Sequence, residues 1–312
     1  MKTAIIKPIF KKGSRLSVNN YRPISLLTLF SKIFEKCLKQ RIYHYLESNH
    51  LLSPNQFGFR CNMGTEDAII KVTSTIYEDI DNNKKSLAVF LDLAKAFDTV
   101  SHKILFQKLH LYGIQGTPLD LIKSYLSNRN QYVMIENTLS SPRIIEFGVP
   151  QGTVLGPLLF LIFINDLCNL NIKGKITTFA DDTVIQFSDN SWEGVHFKAE
   201  KEMRKVLSWL NNNLLTLNKD KTVYTTFSPR SNSQPLTSSI KLHENICNST
   251  SIDCNCHKLL KVSETKYLGL TIDQHLKWNH HIQTVIHKLR STLHKFYSLR
   301  NILNLHNLKL VY

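Results

Sequence analysis

Three aspartates follow apolar segments of this 312-residue sequence. Asp92 ends the run SLAVFLDL, and the doublet Asp181–Asp182 follows KITTFA. Adjacent carboxylates repel one another unless a cation compensates their charge. Oxygen-only ligands suit Mg²⁺, which proteins bind through one or two carboxylates together with substrate phosphates. Two such ions about 4 Å apart clamp the attacking and leaving oxygens of an in-line phosphoryl displacement, so the acids are candidates for that chemistry.

Each acid also has a purely structural alternative. A lone acid at a strand end, such as Asp92, is commonly a turn or cap residue. The doublet fits this alternative less well, because neither glycine nor asparagine supplies the usual hairpin turn between TTF and TVIQF. We therefore expect the three acids to meet at the ends of neighbouring strands.

The elements that must position these acids follow from hydrophobic periodicity. SLAVFLDL has strand length and predicts a buried strand covered on both faces. KITTF and TVIQF predict the arms of a β-hairpin joined by the two acids, and QYVMIE with IIEFGV predicts another. TAIIK and TKYLGLTID each predict a strand. GVPQG predicts a loop that leads into an apolar helix. Further helices are predicted from apolar spacing and end signals around residues 26–46, from Thr65, after Ser101, around 199–213 and around 282–303.

The net charge of +15 is concentrated at the two ends of the sequence. Residues 1–45 carry ten Lys and Arg against one acid, and residues 277–312 carry six against none, whereas residues 46–276 are balanced. Two basic ends around a neutral middle favour contact with a polyanion. A solvated basic surface is the alternative that charge alone leaves open.

The composition excludes several classes of protein. With 42% hydrophobic and 20% charged residues the sequence is typical of a globular chain. The longest apolar run, residues 154–164, is too short to span a bilayer, and the first residues lack the apolar core of a signal peptide. We expect an intracellular protein, nuclear or cytoplasmic, with no membrane partner. The six cysteines form no disulfide framework, so reduced thiols are expected.

Seven segments resemble the motifs of reverse transcriptases and occur in the same order, and they are most similar to those of jockey-like non-LTR retrotransposons. FLDLAKAFDTVSH, GVPQGTVLGPLLFLIFINDL and FADDT resemble the palm motifs. NYRPISLLTLFSKIFEK with NQFGFR resembles the fingers motifs, LTLNKDKT the strand and lysine after the second palm helix, and KYLGLTID the primer grip. The resemblance covers nearly the whole chain except the Ser/Asn/Cys-rich stretch near residues 228–260.

The resemblance implies an α+β right-hand polymerase with fingers, a palm of antiparallel sheet backed by helices, and a truncated thumb. The expected segments are fingers 1–84, palm 85–113, a fingers–palm connection 114–146, palm 147–227, an insert 228–263, a primer-grip hairpin 264–276 and a partial thumb helix 277–312. RNA template, DNA primer and dNTPs are the implied partners, and the basic ends then fall in the fingers and thumb that flank the duplex.

The resemblance also assigns roles to individual residues. Asp92 and Asp181 bind two Mg²⁺, with Mn²⁺ as a substitute, and Asp182 supports them as the third acid of the catalytic metal site. Further residues are implied to contact the nucleotide or the nucleic acid. Arg60 is implied to grip the triphosphate, and Phe97 to act as the steric gate against a 2′-OH. Gln151 and Gly152 belong to the loop under the nucleotide, and Lys221 is the implied proton donor to pyrophosphate. The implied nucleic-acid contacts are Lys11, Lys12, Tyr267, Leu268 and Gly269.

Two further functions stay open at this point. A decayed or co-opted copy would bind RNA through its basic ends without catalysis, and an intron-encoded maturase polymerase shares the palm fold. The endonuclease and longer C-terminal region of full family members lie outside this sequence, so a truncated copy is one expectation. Cys247, Cys254, Cys256 and His257 also cluster, but their spacing fits no common zinc module, and we expect no metal there.

Overall fold

The computed structural model describes residues 2–229, 235, 239–243, 247, 254–300, 302–303 and 307. Its helices are α1 Leu29–Ser48, α2 Thr65–Asp81, α3 His102–Leu111, α4 Thr117–Leu126, α5 Gly156–Ile164, α6 Trp192–Asn212 and α7 Asn279–Leu299. Its strands are β1 Thr3–Phe10, β2 Tyr21–Leu26, β3 Lys85–Leu91, β4 Arg129–Ile135, β5 Thr138–Leu139, β6 Arg143–Ile145, β7 Lys175–Phe179, β8 Asp182–Asp189, β9 Val223–Phe227, β10 Lys241–Leu242, β11 His257–Lys258, β12 Leu260–Lys261, β13 Glu264–Tyr267 and β14 Leu270–Asp273.

The central sheet has the strand order β12–β9–β3–β8–β7, and its pairs are antiparallel except for β12 with β9. Strand β3 lies in the middle and confirms the prediction of a strand covered on both faces. Leu87 and Val89 pack into the larger core with helices α3, α5 and α6. Ala88 and Phe90 pack into a second core with helix α2 and the β13–β14 hairpin. Side chains alternate between the two faces as strand geometry requires.

A second sheet combines β1, β2, β4, β5 and β6. Strand β1 runs antiparallel to β2 and parallel to β4. The predicted strand TAIIK continues through Pro8, which lies opposite Pro23. Pairing with β4 ends at Ile6, so beyond that residue β1 is an edge on this side and a proline without an N–H is tolerated.

Helix α1 begins later than apolar periodicity suggested. Leu26, expected on the helical stripe, is the last residue of β2. The helix begins at Leu29, where the Thr28 side chain accepts a hydrogen bond from the N–H of Ser31. Ile42 and Leu46 are buried, whereas Leu29 is 70% exposed. The pattern therefore predicted the helix, but packing buries mainly its second half.

The remaining elements largely follow the sequence. Ser101 caps α3 as expected. Strands β4 and β6 pair antiparallel as expected, but the pairs of Ile144 and Ile145 are Asn130 and Arg129, and the end of QYVMIE forms its hairpin with β5. TKYLGLTID forms the hairpin β13–β14 and not one strand. The apolar stripe of α7 is substantially exposed. Across the part of the chain described, none of the helices combines the length and apolar character needed to cross a membrane.

Candidate active site

The acidic doublet is divided between a turn and a strand. Phe179 pairs with Asp182 across the β7–β8 hairpin, so the two-residue loop is Ala180–Asp181. Ala180 has a φ of +57°, at the position where two-residue hairpins usually use glycine. The hairpin confirms the sequence prediction, but the turn contains one acid and the other begins β8.

A segment between α1 and α2 fixes this turn. The Oε1 atom of the buried Gln56 accepts hydrogen bonds from the backbone N–H of Ala180 (3.1 Å) and of Gly58 (2.8 Å). The N–H of Thr178 donates to the carbonyl of Asn55 (2.9 Å). A Cβ at Gly58 would lie 2.4 Å from the nitrogen of Ala180, so the close approach requires glycine. Gln56 was missed by the sequence analysis, although it lies within the NQFGFR motif.

Strand register brings Asp92 to the doublet. Leu91 pairs with Thr183 on the neighbouring strand, and one further residue along the same register places Asp92 opposite Asp182. Adjacent strands are about 4.8 Å apart. The backbone of Asp92 is fixed by the NKDKT turn, since its N–H donates to Oγ1 of Thr222 (3.2 Å) and its carbonyl accepts from Asn218 (2.8 Å).

The pKa values of both carboxyls of the doublet are raised. Although the Asp182 side chain reaches solvent, partial removal from water and the charges of Asp181 and Asp92 raise its pKa to about 6. Removal from water and the charge of Asp92 also raise the pKa of Asp181, while Arg22 and Lys11 lower it. This concentration of negative charge on oxygen donors fits a hard divalent cation.

The two cations that influence Asp181 lie on the β1–β2 hairpin. Arg22 pairs with Ile9, and Lys11, two residues after Ile9, follows the strand. Paired residues share a face of a sheet, as do residues two apart on one strand, so Arg22 and Lys11 share the face directed at the acids. Arg22 was also missed, although it stands in the NYRPIS motif.

The PQG loop packs between this hairpin and the Asp92 segment. Gln151 donates from Nε2 to Oδ1 of Asp98 (2.9 Å), and its carbonyl accepts from the N–H of Ser25 (2.8 Å). Gly152 has a φ of +88°, and a Cβ there would lie 3.0 Å from Cγ2 of Ile24. The glycine therefore serves a left-handed backbone conformation and a close approach to β2.

A buried carboxylate joins helix α1 to the end of this loop. Glu35 accepts hydrogen bonds from the backbone N–H of Val154 (2.7 Å) and Leu155 (3.2 Å), and from the hydroxyl of Tyr125 (3.0 Å). Its side chain is almost wholly removed from solvent. The contacts hold the loop against the β1–β2 side of the protein, and sequence analysis did not single out Glu35.

Phe97 is half-buried beside the PQG loop. Its ring stacks on Phe160 of α5 with centroids 4.2 Å apart and meets Phe59 edge-on at 6.2 Å. Its carbonyl accepts a hydrogen bond from the N–H of Val149 (2.8 Å). These contacts fix the ring near the loop.

Arg60 is held by hydrogen bonds within the protein. Its guanidinium forms a bidentate pair with Glu47, at 2.9 and 2.8 Å, and also donates to the carbonyls of Ser53 (2.7 Å) and Gln56 (3.2 Å). The Arg60 side chain is 9% exposed. Four of its hydrogen bonds are thus made within the protein, and the triphosphate grip that the motif implies for this arginine stays a prediction.

The other residues predicted to contact the nucleotide or the nucleic acid lie in or beside turns, except Tyr267, which is buried. Lys12 and Lys221 are exposed, each in or beside a turn. Tyr267 is buried against Phe90, and burial together with the charge of Asp182 raises its pKa. Leu268 and Gly269 form the β13–β14 turn, with φ values of +47° and +93°.

Comparisons with known proteins agree with this geometry. Residues 9–272 match the family model for reverse transcriptase (RNA-dependent DNA polymerase). A probable RNA-directed DNA polymerase from transposon BS of Drosophila melanogaster is 32% identical over 97% of this chain and 32% of its own length. The RNA-directed DNA polymerase from mobile element jockey of the same species is 28% identical over 93% and 31%. The chain thus spans about a third of the length of these relatives.

Solved structures support the fold. Apo telomerase from Candida tropicalis, truncated from its C-terminal domain, superposes with a TM-score of 0.57 at 12% identity, over 88% of this chain and 54% of that one. The right-hand polymerase fold is confirmed by this likeness. Because the family model covers most of the sequence, the chain belongs to the reverse transcriptase (RNA-dependent DNA polymerase) family.

Proposed function

We propose that this chain performs RNA-templated DNA synthesis as the reverse transcriptase of a non-LTR retrotransposon. The 3′-hydroxyl of a primer attacks the α-phosphate of a dNTP, a new phosphodiester forms, and pyrophosphate leaves. The observation that carries the proposal is the register that places Asp92 opposite Asp182, next to the Asp181 turn. Positioning and electrostatics account for most of the catalysis in such transfers.

Reverse transcriptases use divalent metal ions, and we propose two Mg²⁺, or Mn²⁺, at this cluster. Asp92 and Asp181 would hold both ions, and Asp182 would support them. Bound there, the metal ions would supply positive charge to the attacking and leaving oxygens. The carboxylates of this chain provide the oxygen donors, and partial removal from water together with the charges of Asp181 and Asp92 raises the pKa of Asp182.

Two basic residues are better placed than Arg60 to receive the triphosphate. Arg22 and Lys11 share one face of the β1–β2 hairpin and influence Asp181 electrostatically. An arginine fork and a nearby lysine suit phosphate oxygens. We propose that they bind the triphosphate, and that the pair of Arg60 with Glu47 instead fixes the NQFGFR segment.

The base and sugar of the nucleotide would lie by the PQG loop. We propose that Gln151 and Gly152 form the floor of this site and that Phe97 rejects a 2′-hydroxyl. Lys221 remains a proposed proton donor to pyrophosphate, supported by its place in the turn that fixes the backbone of Asp92.

The nucleic acid would bind along the basic ends. We propose that Lys12 contacts template or primer backbone, Lys11 being assigned to the triphosphate, and that Tyr267, Leu268 and Gly269 form a primer grip, with α7 as part of the thumb. The boundaries stay as proposed from the sequence. Residues 85–113 and 147–227 contain the central strands β3, β7, β8 and β9, whereas β12 of the same sheet lies within the proposed insert. Residues 301, 304–306 and 308–312 of the proposed thumb lie outside the described part. An intracellular location, nuclear or cytoplasmic, belongs to the same proposal.

A non-catalytic duplex-binding protein is the second candidate, favoured by the charge at both ends. Primer extension separates the two. We expect extension of a DNA primer on an RNA template with Mg²⁺ and dNTPs, and binding that weakens steeply with salt. A folded chain that binds the duplex with the same salt dependence yet adds no nucleotide would exclude the polymerase and leave the second candidate.

A further inference from the structure

A cluster of sulfur and nitrogen ligands lies away from the aspartates, in the segment between β9 and β13. It consists of His243, Cys247, Cys254 and Cys256. One ligand atom from each residue lies within 4.8 Å of all the others. His243 is buried and the three cysteines are half-buried thiols. The sequence analysis paired these cysteines with His257, but the structure brings His243 to them instead.

Two distances within the cluster match those of a tetrahedral site. Nδ1 of His243 lies 3.5 Å from Sγ of Cys247 and 3.5 Å from Sγ of Cys254. A tetrahedral zinc site with metal–sulfur bonds of about 2.3 Å and metal–nitrogen bonds of about 2.0 Å separates its ligand atoms by about 3.5–3.8 Å. The imidazole nitrogen therefore already stands at the separation that a shared metal requires.

The other nitrogen of the imidazole is held by a carboxylate. Nε2 of His243 lies 2.6 Å from Oε1 of Glu200 on helix α6. The second oxygen of Glu200 accepts a hydrogen bond from the backbone N–H of Lys241 (3.0 Å). Zinc-binding histidines commonly donate their second N–H to a carboxylate, which fixes the tautomer and aims the free nitrogen at the metal. Glu200 thus leaves Nδ1 available to face the thiols.

The backbone explains why ligands so far apart in sequence meet. Leu242 pairs with His257 across the short β10–β11 hairpin, and one more residue in register places His243 opposite Cys256. Cys254 is two residues before Cys256. Ile240, Leu242 and Leu259 are buried in the larger core, so the hairpin is anchored next to α6. His243 and Cys256 are therefore held on a fixed base, and Cys247 and Cys254 complete the cluster.

We propose that His243, Cys247, Cys254 and Cys256 form a structural zinc site. Three thiols and one imidazole make a closed donor set with no position left for substrate, as in structural zinc centres. Soft sulfur ligands exclude Mg²⁺, so this site is chemically distinct from the aspartate cluster. Zinc binding releases the thiol protons and links the two sides of the loop.

The place of the site in the chain suggests what the metal stabilises. The segment after the ligands forms β12, which pairs in parallel with β9, and then the β13–β14 hairpin. The site would fix the entry to that hairpin while its own hairpin stays anchored at α6. Its role concerns folding and position and does not depend on polymerase activity.

Metal analysis tests the site on the whole chain purified without chelators. We expect one equivalent of zinc per chain, reduced to near zero in Cys254→Ser and in Cys256→Ser. Cys37→Ser and Cys61→Ser, which change exposed thiols, should retain it. Zinc-free wild type should regain thermal stability when Zn²⁺ is added, whereas Cys256→Ser should not.

Two measurements keep the test decisive if a ligand variant folds poorly. Co²⁺ added to the zinc-free wild type should give the visible absorption of a tetrahedral thiolate site, and Zn²⁺ should abolish it. Glu200→Gln keeps all four ligands and should lower zinc affinity about 10–100-fold, while Glu193→Gln on the same helix should not. The proposal would be overturned if purified wild type contained no zinc and all its cysteines reacted equally with a thiol reagent. An intact mass showing a disulfide within the cluster would also overturn it.

Discussion

The backbone N–H of Ala180, in the turn that carries Asp181, donates a hydrogen bond to the buried Oε1 of Gln56. The same oxygen accepts from Gly58, so one side-chain atom links the NQFGFR segment to the catalytic hairpin. A neutral amide oxygen suits this position because a carboxylate would add negative charge beside three acids. The turn is therefore positioned from a segment more than a hundred residues earlier in the chain.

Gln56→Ala should destabilise the protein and impair catalysis. The change leaves two buried backbone N–H groups without their acceptor, at about 1–3 kcal/mol each, so we expect the free energy of unfolding to fall by about 2–4 kcal/mol. Urea denaturation measures it. Asn55→Ala, whose backbone contacts survive the change, should cost less than about 0.5 kcal/mol. Equal losses for the two variants would show that the Gln56 bonds contribute nothing.

Arg60 and Arg22 should respond oppositely to substitution. Arg60→Lys breaks the bidentate pair with Glu47 and should lower the free energy of unfolding by about 2 kcal/mol, with little change in the KM for dNTP. Arg22→Ala removes an exposed cation and should leave stability unchanged but raise that KM about tenfold, or ~1.4 kcal/mol. Steady-state kinetics measure the KM for dNTP, and denaturation measures the free energy of unfolding of each variant. A raised KM without destabilisation in Arg60→Lys would restore the triphosphate role to Arg60.

Asp182→Asn should stabilise the protein when no Mg²⁺ is added. The pKa of Asp182 is about 6 in the folded protein and 3.8 in the unfolded chain, so the folded state holds the proton more tightly between these values. Stability contributed by the protonated form is present below pH 3.8 and is lost as pH rises through 6. Because Asp182 is exposed, we expect a gain of only about 1 kcal/mol at pH 7.5.

Thermal melts from pH 4 to pH 8 measure this effect, with Asp220→Asn as a control of equal charge change. The wild type should lose more stability than Asp182→Asn across that window. Added Mg²⁺ should reverse the order by stabilising the wild type more. Parallel pH profiles for the two proteins would contradict the repulsion inferred at the doublet.

Phe97→Val should relax the choice of sugar. If the ring blocks a 2′-hydroxyl, the smaller side chain should increase rNTP incorporation relative to dNTP by at least about tenfold, or ~1.4 kcal/mol. Phe59→Val truncates the ring that meets Phe97 edge-on and should leave the ratio unchanged. Single-nucleotide incorporation measures both. An equal loss of incorporation rate with dNTP and with rNTP would show that Phe97 contributes only to packing.

The sequence predicted what depends on local pattern. Strand β3, the β7–β8 hairpin and the cap of α3 at Ser101 follow from periodicity and end signals. The acids were recognised because carboxylates after apolar strands are costly without a cation. Family resemblance then supplied the roles that residue type alone leaves open.

Long-range contacts were not predictable in this way. Nothing near Glu35 in sequence indicates that it accepts hydrogen bonds from Val154 and Leu155. Arg60 was assigned by its motif, and only the fold reveals its pairing with Glu47. The histidine nearest the cysteines in sequence was His257, but strand pairing brings His243 to them, because opposite residues of a hairpin meet regardless of their separation along the chain.

The central claim is that Asp181 holds the catalytic metal ions for DNA synthesis. It is tested by single-turnover incorporation of one dNTP on a primed RNA template, comparing wild type with Asp181→Asn and with Asp81→Asn, an exposed acid of α2. We predict at least a hundredfold loss of rate, or ~2.7 kcal/mol, in Asp181→Asn with duplex affinity retained, and no loss in Asp81→Asn. Incorporation by Asp181→Asn at the wild-type rate would contradict the account.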